Sequence, residues 1–414
     1  MDQYIQLTEK AKSAGPLNTL VKNGLCSGCG ICAGLLGSSK VQMRLSQQGY
    51  LRPTSLKVLD AKDAELVQKV CPGIRIEHDA PLLNYHQIWG PIMRARTGQA
   101  TDDQIRREGS SGGVISALAL YLLESKQVDF IAQISVVTGD PLTNKVQMSR
   151  SRADILRAAG SRYAPAAPLD RLEEFLLTGQ RFAVIGKPCD IAAVRNLGRI
   201  DPRVIRQIPF LLSFMCAGVP SINGTHELLH ELGTDSNSLE SLRYRGNGWP
   251  GMARAVGVDG QVAEMDYSKS WGNILNRHLQ FRCKICPDGT GEFADVVCAD
   301  AWYGKDGYPD FKEREGRSLV ISRTKVGESL VKEAIRAGII GAEDLDITQI
   351  DRMQPYQLNR KKVVLGRLLG FYLRRGRLAH FRRMGLVKAS LSADPLDWLR
   401  NVIGTYKRAV GEKP

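Results

Sequence analysis

Residues 24–34 read GLCSGCGICAG and set cysteines at every third position: Cys26, Cys29 and Cys32. Thiols this close in sequence cannot make a useful set of disulfides, so the segment must fold around something that all three hold. Zinc sites draw their ligands as separated pairs. The CxxCxxC spacing is that of an iron–sulfur run, in which a short loop wraps three thiolates around one cuboidal cluster and a fourth arrives from a distance. Cys71, followed by Pro72, is the candidate fourth ligand of a 4Fe–4S centre. Spacing alone leaves zinc, or thiols without a ligand, as alternatives.

At 414 residues the chain exceeds what one core usually serves, and two or three domains are expected. The longest apolar run, GGVISALALYLL at 112–123, falls short of the roughly 20 residues of a membrane span. The start, MDQYIQLTEKAK, lacks a basic stretch followed by an apolar one, so no export signal is read. A cytoplasmic location is expected, where thiols stay reduced and nine cysteines read as metal ligands or redox groups. The net charge of +14 is uneven: residues 360–414 hold 14 Lys and Arg against three Asp and Glu. The body is nearly neutral and the tail basic.

Residues 40–53 alternate like a hairpin with Gly49 at its turn, and AKDAELVQKV reads as a short helix leading into Cys71. From about residue 88, strands (VDFIAQISVV, RFAVIG, SLVISRT) alternate with helices (SSGGVISALALYLLESK, IAAVRNLG, GESLVKEAIRAG). That alternation predicts an α/β domain with a largely parallel sheet. The tail reads as helical. The segment RKKVVLGRLLGFYLRRGRLAHFRRMG places Leu365, Leu368, Leu369 and Tyr372 near one helical face among arginines. Such a face suits a membrane surface or an acidic protein partner, the alternative being a helix packed on the body with a solvated basic edge. No recognised binding motif accompanies the charge, so nucleic acid is not expected.

Five cysteines lie further on. Cys189 sits between a strand and a helix in FAVIGKPCDIAAVRN, Cys216 follows an apolar run, and Cys283 and Cys286 form CxxC before a proline. Loops after the carboxyl ends of parallel strands are where such folds place their sites, so these four are a candidate second thiolate site. A lone CxxC leaves zinc, a redox disulfide and iron–sulfur open. Cys298, in FADVVCADAW, reads as a small buried hydrophobe.

Gly246, Gly248 and Gly251 match GxGxxG literally. The match is rejected, because MARAVGVDGQV after it reads as a hairpin and not as the helix whose N-terminus would face a pyrophosphate. EGSSGGVISAL is the better anion candidate, with Ser110 or Ser111 capping a helix and Gly112 and Gly113 allowing close approach.

The motifs CSGCGICAG, SSGGVISAL, GSRYAPA, VIGKPCDIAAVR, YRGNGWPG and CKICPDGTGEFADVVCADAW, in this order over residues 22–340, resemble the coenzyme F420 hydrogenase/dehydrogenase β-subunit family. Its relatives include reductases of chlorophyll-pathway pigments. The resemblance implies an α/β (α+β overall) protein: a ferredoxin-like iron–sulfur unit at 1–87, an FAD-binding body at 88–350 and a basic helical tail at 351–414. It also implies a second 4Fe–4S cluster on Cys189, Cys216, Cys283 and Cys286. Flavin contacts are implied at Ser110, Ser111, Gly112, Gly113, Ser161, Arg162, Tyr163, Lys187, Asn247 and Trp249. Simple solvation of Arg162 and Lys187, and a core role for Trp249, are the alternatives. The expected activity is an electron relay from a ferredoxin-type donor through two clusters to FAD and a small organic acceptor. An electron-transfer subunit feeding a catalytic partner is the second reading, and a structural zinc module the third. Tyr163 and His278 are candidate acids by residue type. A deazaflavin coenzyme, a tetrapyrrole and a sugar- or lipid-linked intermediate are all compatible as substrate.

Overall fold

The computed structural model describes residues 15–80, 84–305 and 308–410. The N-terminal stretch read above for an export signal lies outside them. The cysteine loop runs into the short helix α1 (Ile31–Leu36). A hairpin follows, β1 (Val41–Leu45) against β2 (Leu51–Ser55), antiparallel as the alternation requires. Gly49 sits in its turn at φ +76, and a Cβ there would lie 2.6 Å from Ser221 Oγ, so both the left-handed backbone and the close approach demand glycine. Helix α2 (Ala61–Val70) starts at a capping box in which Asp60 accepts from the Asp63 amide.

The body is an eight-stranded sheet built from β3 (Arg94–Ala100), β4 (Phe130–Val137), β5 (Asp140–Ser149), β6 (Phe182–Gly186), β7 (Phe210–Phe214), β8 (Val296–Asp300), β9 (Ser318–Ser322) and β10 (Ile340–Asp344). The strand order is β10-β3-β9-β8-β7-β6-β4-β5. Only β4, β6, β7 and β8 run parallel; the other pairings are antiparallel. The expectation of a largely parallel sheet is therefore corrected to a mixed one. At one edge, β4 returns as β5 through a two-residue turn whose Gly139 has φ +80. At the other, β3 pairs with β9 and β10 from far along the chain, which no local signal announces.

Burial on both faces explains the apolar strand RFAVIG. Phe182 and Val184 point into one core with Phe130 and Phe175, while Ala183 and Ile185 join the other with Leu118 and Val320. Helices α3 (Val114–Glu124) and α6 (Lys325–Arg336) pack over the second core. Helix α4 (Pro188–Gly198) covers the first.

The tail is helical, with α7 (Pro355–Arg375) packed against α8 (Pro395–Arg408). The apolar face expected on α7 is split. Leu368 is buried with Val363, Val364 and Phe371, whereas Leu369 and Tyr372 are exposed. Val364, Leu368 and Phe371 share a core with Leu17, Leu20, Cys26, Cys32, Cys71 and Ile285, so the first and last parts of the chain are packed together. Among the described residues no helix is long and apolar enough to cross a membrane.

A partly buried ion pair ties the strand beside the sheet edge to its helix. Arg96 on β3 donates to both carboxylate oxygens of Glu328 on α6, at 2.8 and 2.7 Å, and Ser322 adds a third bond. The Arg96 hydrogen bonds lower the Glu328 pKa to about 2 despite burial. A folded-state value below the ordinary one stabilises the fold above about pH 4.5 and is lost as the pH falls toward about 2. Glu328→Gln is expected to cost about 2 kcal/mol at pH 7 and to flatten the loss of stability between pH 4.5 and 3. Denaturant unfolding at the two ends of that range measures both effects.

Candidate functional site

Cys26, Cys29, Cys32 and Cys71 come together in the structure, all four buried. The loop carrying the first three turns through Gly28 at φ +74 and Gly30 at φ +85, conformations that side chains with a Cβ resist. Cys32 lies in the first turn of α1, and Cys71 caps the C-terminus of α2. Burial raises the pKa of Cys29, followed by the charges of Cys71, Asp190 and Cys26. Cys32 is raised by burial and then by Cys29, Cys26 and Cys71. Cys71 is pushed up to about 12 by burial and Cys26. Each thiol thus feels the others. Backbone amides face the sulfurs: Gly28 donates to Cys26 Sγ at 3.4 Å, Ile31 faces Cys29, Ala33 faces Cys32, and Gly73 and Ile74 face Cys71.

The second group forms where the parallel strands end. β6 and β7 are parallel neighbours, so the segments leaving their carboxyl ends lie side by side, and they carry Cys189 and Cys216. Cys283 and Cys286 arrive on and just after the one-turn helix α5 (Phe281–Lys284). Burial, Asp190, Cys216 and Cys286 raise the Cys189 pKa against the pull of Lys187. Cys216 is pushed up to about 12 by burial, Cys283 and Cys286, with Arg360 and Lys187 opposing. Gln280 donates to Cys283 Sγ at 3.3 Å.

The two groups adjoin through Asp190, which acts on Cys29 of one and Cys189 of the other. Asp190 is fully buried and pairs with Lys187 at 2.9 Å. Burial works against the charged lysine, but Asp190 and Cys189 outweigh it and raise its pKa. Cys298 stands apart on β8, its pKa raised by burial alone, as expected of a core thiol.

Among the described residues no group of three or more His, Cys, Asp or Glu converges tightly enough for a single metal ion. The donor set suits an anionic cluster, whose sulfurs accept N–H donors. Arg282 provides such donors: it is 2% exposed, acts electrostatically on Cys71, and leaves Nε and Nη1 without partners while Nη2 bonds the Pro72 carbonyl.

The flavin candidates divide. Ser110 and Ser161 share a 2.8 Å hydrogen bond, and Gly248 of the Asn247 loop bonds the Arg107 carbonyl, so the three segments meet. Asn247 is exposed, with φ +57. Neither serine caps α3, which corrects the sequence reading. The cap is Gly113 at φ +72, while Ser111 donates to the Ala299 and Arg317 carbonyls. A Cβ at Gly112 or Gly113 would strike backbone oxygens of Gly98 or Ile105 at 2.7 and 2.6 Å, so tight packing explains both glycines.

Arg162 is not solvated. It bonds Asn144 and the carbonyls of Pro141 and Leu242. Lys187 is engaged with Asp190, and Trp249 is core, stacked on Trp302 at 4.9 Å. Tyr163 lies 4.6 Å from Trp271, and His278 is tied to Glu227 at 2.6 Å. LESLR before the rejected glycine motif is a half-buried strand, and a hairpin follows it as expected.

Four residues escaped the sequence reading. Arg245 pairs with Asp300 at 2.6 and 2.9 Å and lies over the Tyr267 and Trp302 rings. Arg245 and Asp300 sit inside the motifs quoted above and Arg282 immediately before one of them, where their charge in apolar surroundings was the available signal. Arg360 lies in the tail, where nothing local singles it out.

Comparison with known proteins now fits this geometry. Two family models of the coenzyme F420 hydrogenase/dehydrogenase beta subunit match the chain, that of its N-terminal part at residues 95–173 and that of its C-terminal part at residues 179–348. The chain belongs to this family. It is 25% identical to the coenzyme F420 hydrogenase subunit beta of Methanococcus voltae, over 68% of this chain and 98% of that one. It is 26% identical to the coenzyme F420-dependent sulfite reductase of Methanocaldococcus jannaschii, over 84% of this chain but 51% of the relative. A chain of the F420-reducing nickel–iron hydrogenase complex from Methanosarcina barkeri shares the fold, with TM-score 0.50 and 21% identity over 66% of this chain and 94% of that one. The relatives are oxidoreductases or their subunits.

Close packing holds the cysteine loop in place. Leu169 donates to the Cys29 carbonyl at 3.0 Å, and a Cβ at Gly34 would lie 2.0 Å from the Leu169 carbonyl oxygen. Gly34→Ala is expected to destabilise the fold by about 1–3 kcal/mol. Gly272→Ala, with nothing within 4 Å of its Cβ, is the control that stays near the wild-type value in thermal unfolding.

Proposed function

We propose that this chain is an iron–sulfur flavoprotein oxidoreductase that draws single electrons from a ferredoxin-type donor and delivers them to a small organic acceptor. The observation that carries the reading is the partition of eight cysteines into two adjoining groups of four, the first buried and the second half-buried. Two 4Fe–4S clusters would supply one-electron storage, and FAD the exchange between one- and two-electron chemistry.

The chain's own residues prepare for negative charge. Amides of Gly28, Ile31, Ala33, Gly73 and Ile74 face the front thiols, and the buried Arg282 guanidinium acts electrostatically on Cys71. Lys187 and Arg360 do so for the second group. Ser110, Ser161 and Asn247 offer hydroxyl and amide groups to a flavin at one half-open surface, and Tyr163 is the candidate proton donor beside it. His278 already has Glu227 as its partner, which favours a structural role. The relatives' names favour a deazaflavin coenzyme as acceptor over a tetrapyrrole or a sugar- or lipid-linked compound.

A second reading, an electron-transfer subunit of a larger complex, is favoured by relatives that are themselves subunits. Dithionite-reduced chain alone decides between the two: turnover of coenzyme F420 supports the enzyme, and reduction without turnover supports the subunit.

The exposed, basic part of the tail is the proposed face for the acidic donor, with a membrane surface as the competing occupant. Arg377, Arg382, Lys388 and Arg400 are all exposed there. Changing these four to Glu is expected to weaken ferredoxin binding at low salt by at least about tenfold. An effect on anionic vesicles alone would assign the face to lipid.

Anaerobically isolated protein is expected to contain about eight irons and one FAD per chain, with the brown colour of iron–sulfur proteins. A colourless protein holding two zinc ions would overturn the reading.

A further inference from the structure

The helix α7 lies beyond residue 348, where the family match ends, yet one of its turns reaches the second cysteine group. Arg360 and Lys361 are 6% and 3% exposed. Arg360 donates through Nη1 to the carbonyls of Cys216 at 3.1 Å and Ala217 at 2.9 Å, and through Nη2 to the carbonyl of Cys283 at 2.5 Å. Gln357, one turn earlier, adds a bond to the Cys216 carbonyl at 3.1 Å. Lys361 bonds the carbonyl of Pro287, next to Cys286, at 3.0 Å and pairs with the buried Glu292. Further along, Arg367 bonds the Lys284 carbonyl at 3.0 Å.

The approach is built from both sides. A Cβ at Gly289 would lie 2.2 Å from Gln357 Oε1, so the segment after CKICP is glycine where the helix side chain descends on it. The Cys216 amide donates to that same glycine at 2.8 Å. Burial disfavours the Arg360 charge, but Tyr356, Cys286, Cys283 and Cys216 outweigh it. A guanidinium presents its donors in a rigid planar fork, which a lysine cannot reproduce.

We infer that α7 is a structural wall of the second cysteine group, and that Arg360 is the positioning residue that fixes the Cys216 and Cys283 segments relative to each other. This rests on the two-cluster reading above. The basic tail thus has two jobs: Gln357, Arg360, Lys361 and Arg367 complete an interior site, while Arg377, Arg382, Lys388 and Arg400 offer charge to solvent.

Full-length wild type, Arg360→Met, Arg360→Lys and the exposed control Arg336→Met are isolated anaerobically. Iron and sulfide are measured per chain, and the dithionite-reduced centres are titrated by electron paramagnetic resonance. Arg360→Met is expected to lose one centre, with iron falling from about eight to about four, while the front centre keeps its signal and potential. Arg360→Lys restores part of the iron and shifts the midpoint potential of the second centre alone. Arg336→Met matches wild type. If Arg360→Met does not fold, Gln357→Ala replaces it, with a shift confined to the second centre as the expected result. Two unchanged centres in the variant would overturn the inference while leaving the two-cluster reading intact. A wild-type chain without iron would overturn both.

Discussion

The ion pair of Lys187 with Asp190 occupies the place where the two cysteine groups meet, and the rest of the site is arranged around it. Each partner is buried, so either charge alone would cost several kcal/mol in the interior. The pair is positioned by secondary structure. Lys187 is the last residue before α4, and Asp190 three residues on accepts from the Lys187 amide at 2.8 Å while its side chain meets the lysine ammonium. A single strand-to-helix turn thereby carries Cys189, a cation and an anion, and sets that anion against Cys29 of the other group. Moving this turn would disturb both groups at once.

The cores show the same economy. Leu25, Cys26, Cys32 and Cys71 pack with Ile285 between the second pair of cysteines and with Val364, Leu368 and Phe371 of α7. Cys29, Ile31, Val70 and Ile76 pack instead with the helices and strands of the sheet. The front segment has no apolar core to itself. Its thiols are kept dry by residues that come from three widely separated parts of the chain. This burial is the largest cause of the raised pKa values of Cys29, Cys32 and Cys71.

Much of this was legible in the sequence because it is local. The hairpin around Gly49, the helix at 61–70, the apolar strand at 182–186 and the CxxCxxC run follow from periodicity or spacing over a few residues, whereas the set Cys189, Cys216, Cys283 and Cys286 came from the family resemblance. Errors arose where the decisive contact is remote or the backbone unusual. The serines before α3 looked like caps, but Gly113 adopts the left-handed conformation and takes that position. The antiparallel edge of the sheet depends on β3 meeting β9 and β10 more than 200 residues later. The partners of Arg162 and Lys187 were not legible, because sequence does not reveal which carbonyls or carboxylates will surround them.

The end of the family match at residue 348 suggests a boundary, and the change in charge further along, at about residue 360, points the same way. Physical contact contradicts both signals. Charge composition reports the average of a segment, whereas burial is decided residue by residue. Arg360 and Lys361 begin the basic run and are its most buried members, spent on carbonyls and on Glu292, while Arg377, Arg382 and Lys388 further on are exposed. A buried cation needs fixed acceptors, and the cysteine-bearing loops, which have irregular backbone, provide carbonyls that no helix or strand has claimed. The need of those loops for donors and the need of the helix for acceptors are met by the same bonds. That is why a segment outside the family match is continuous with the site.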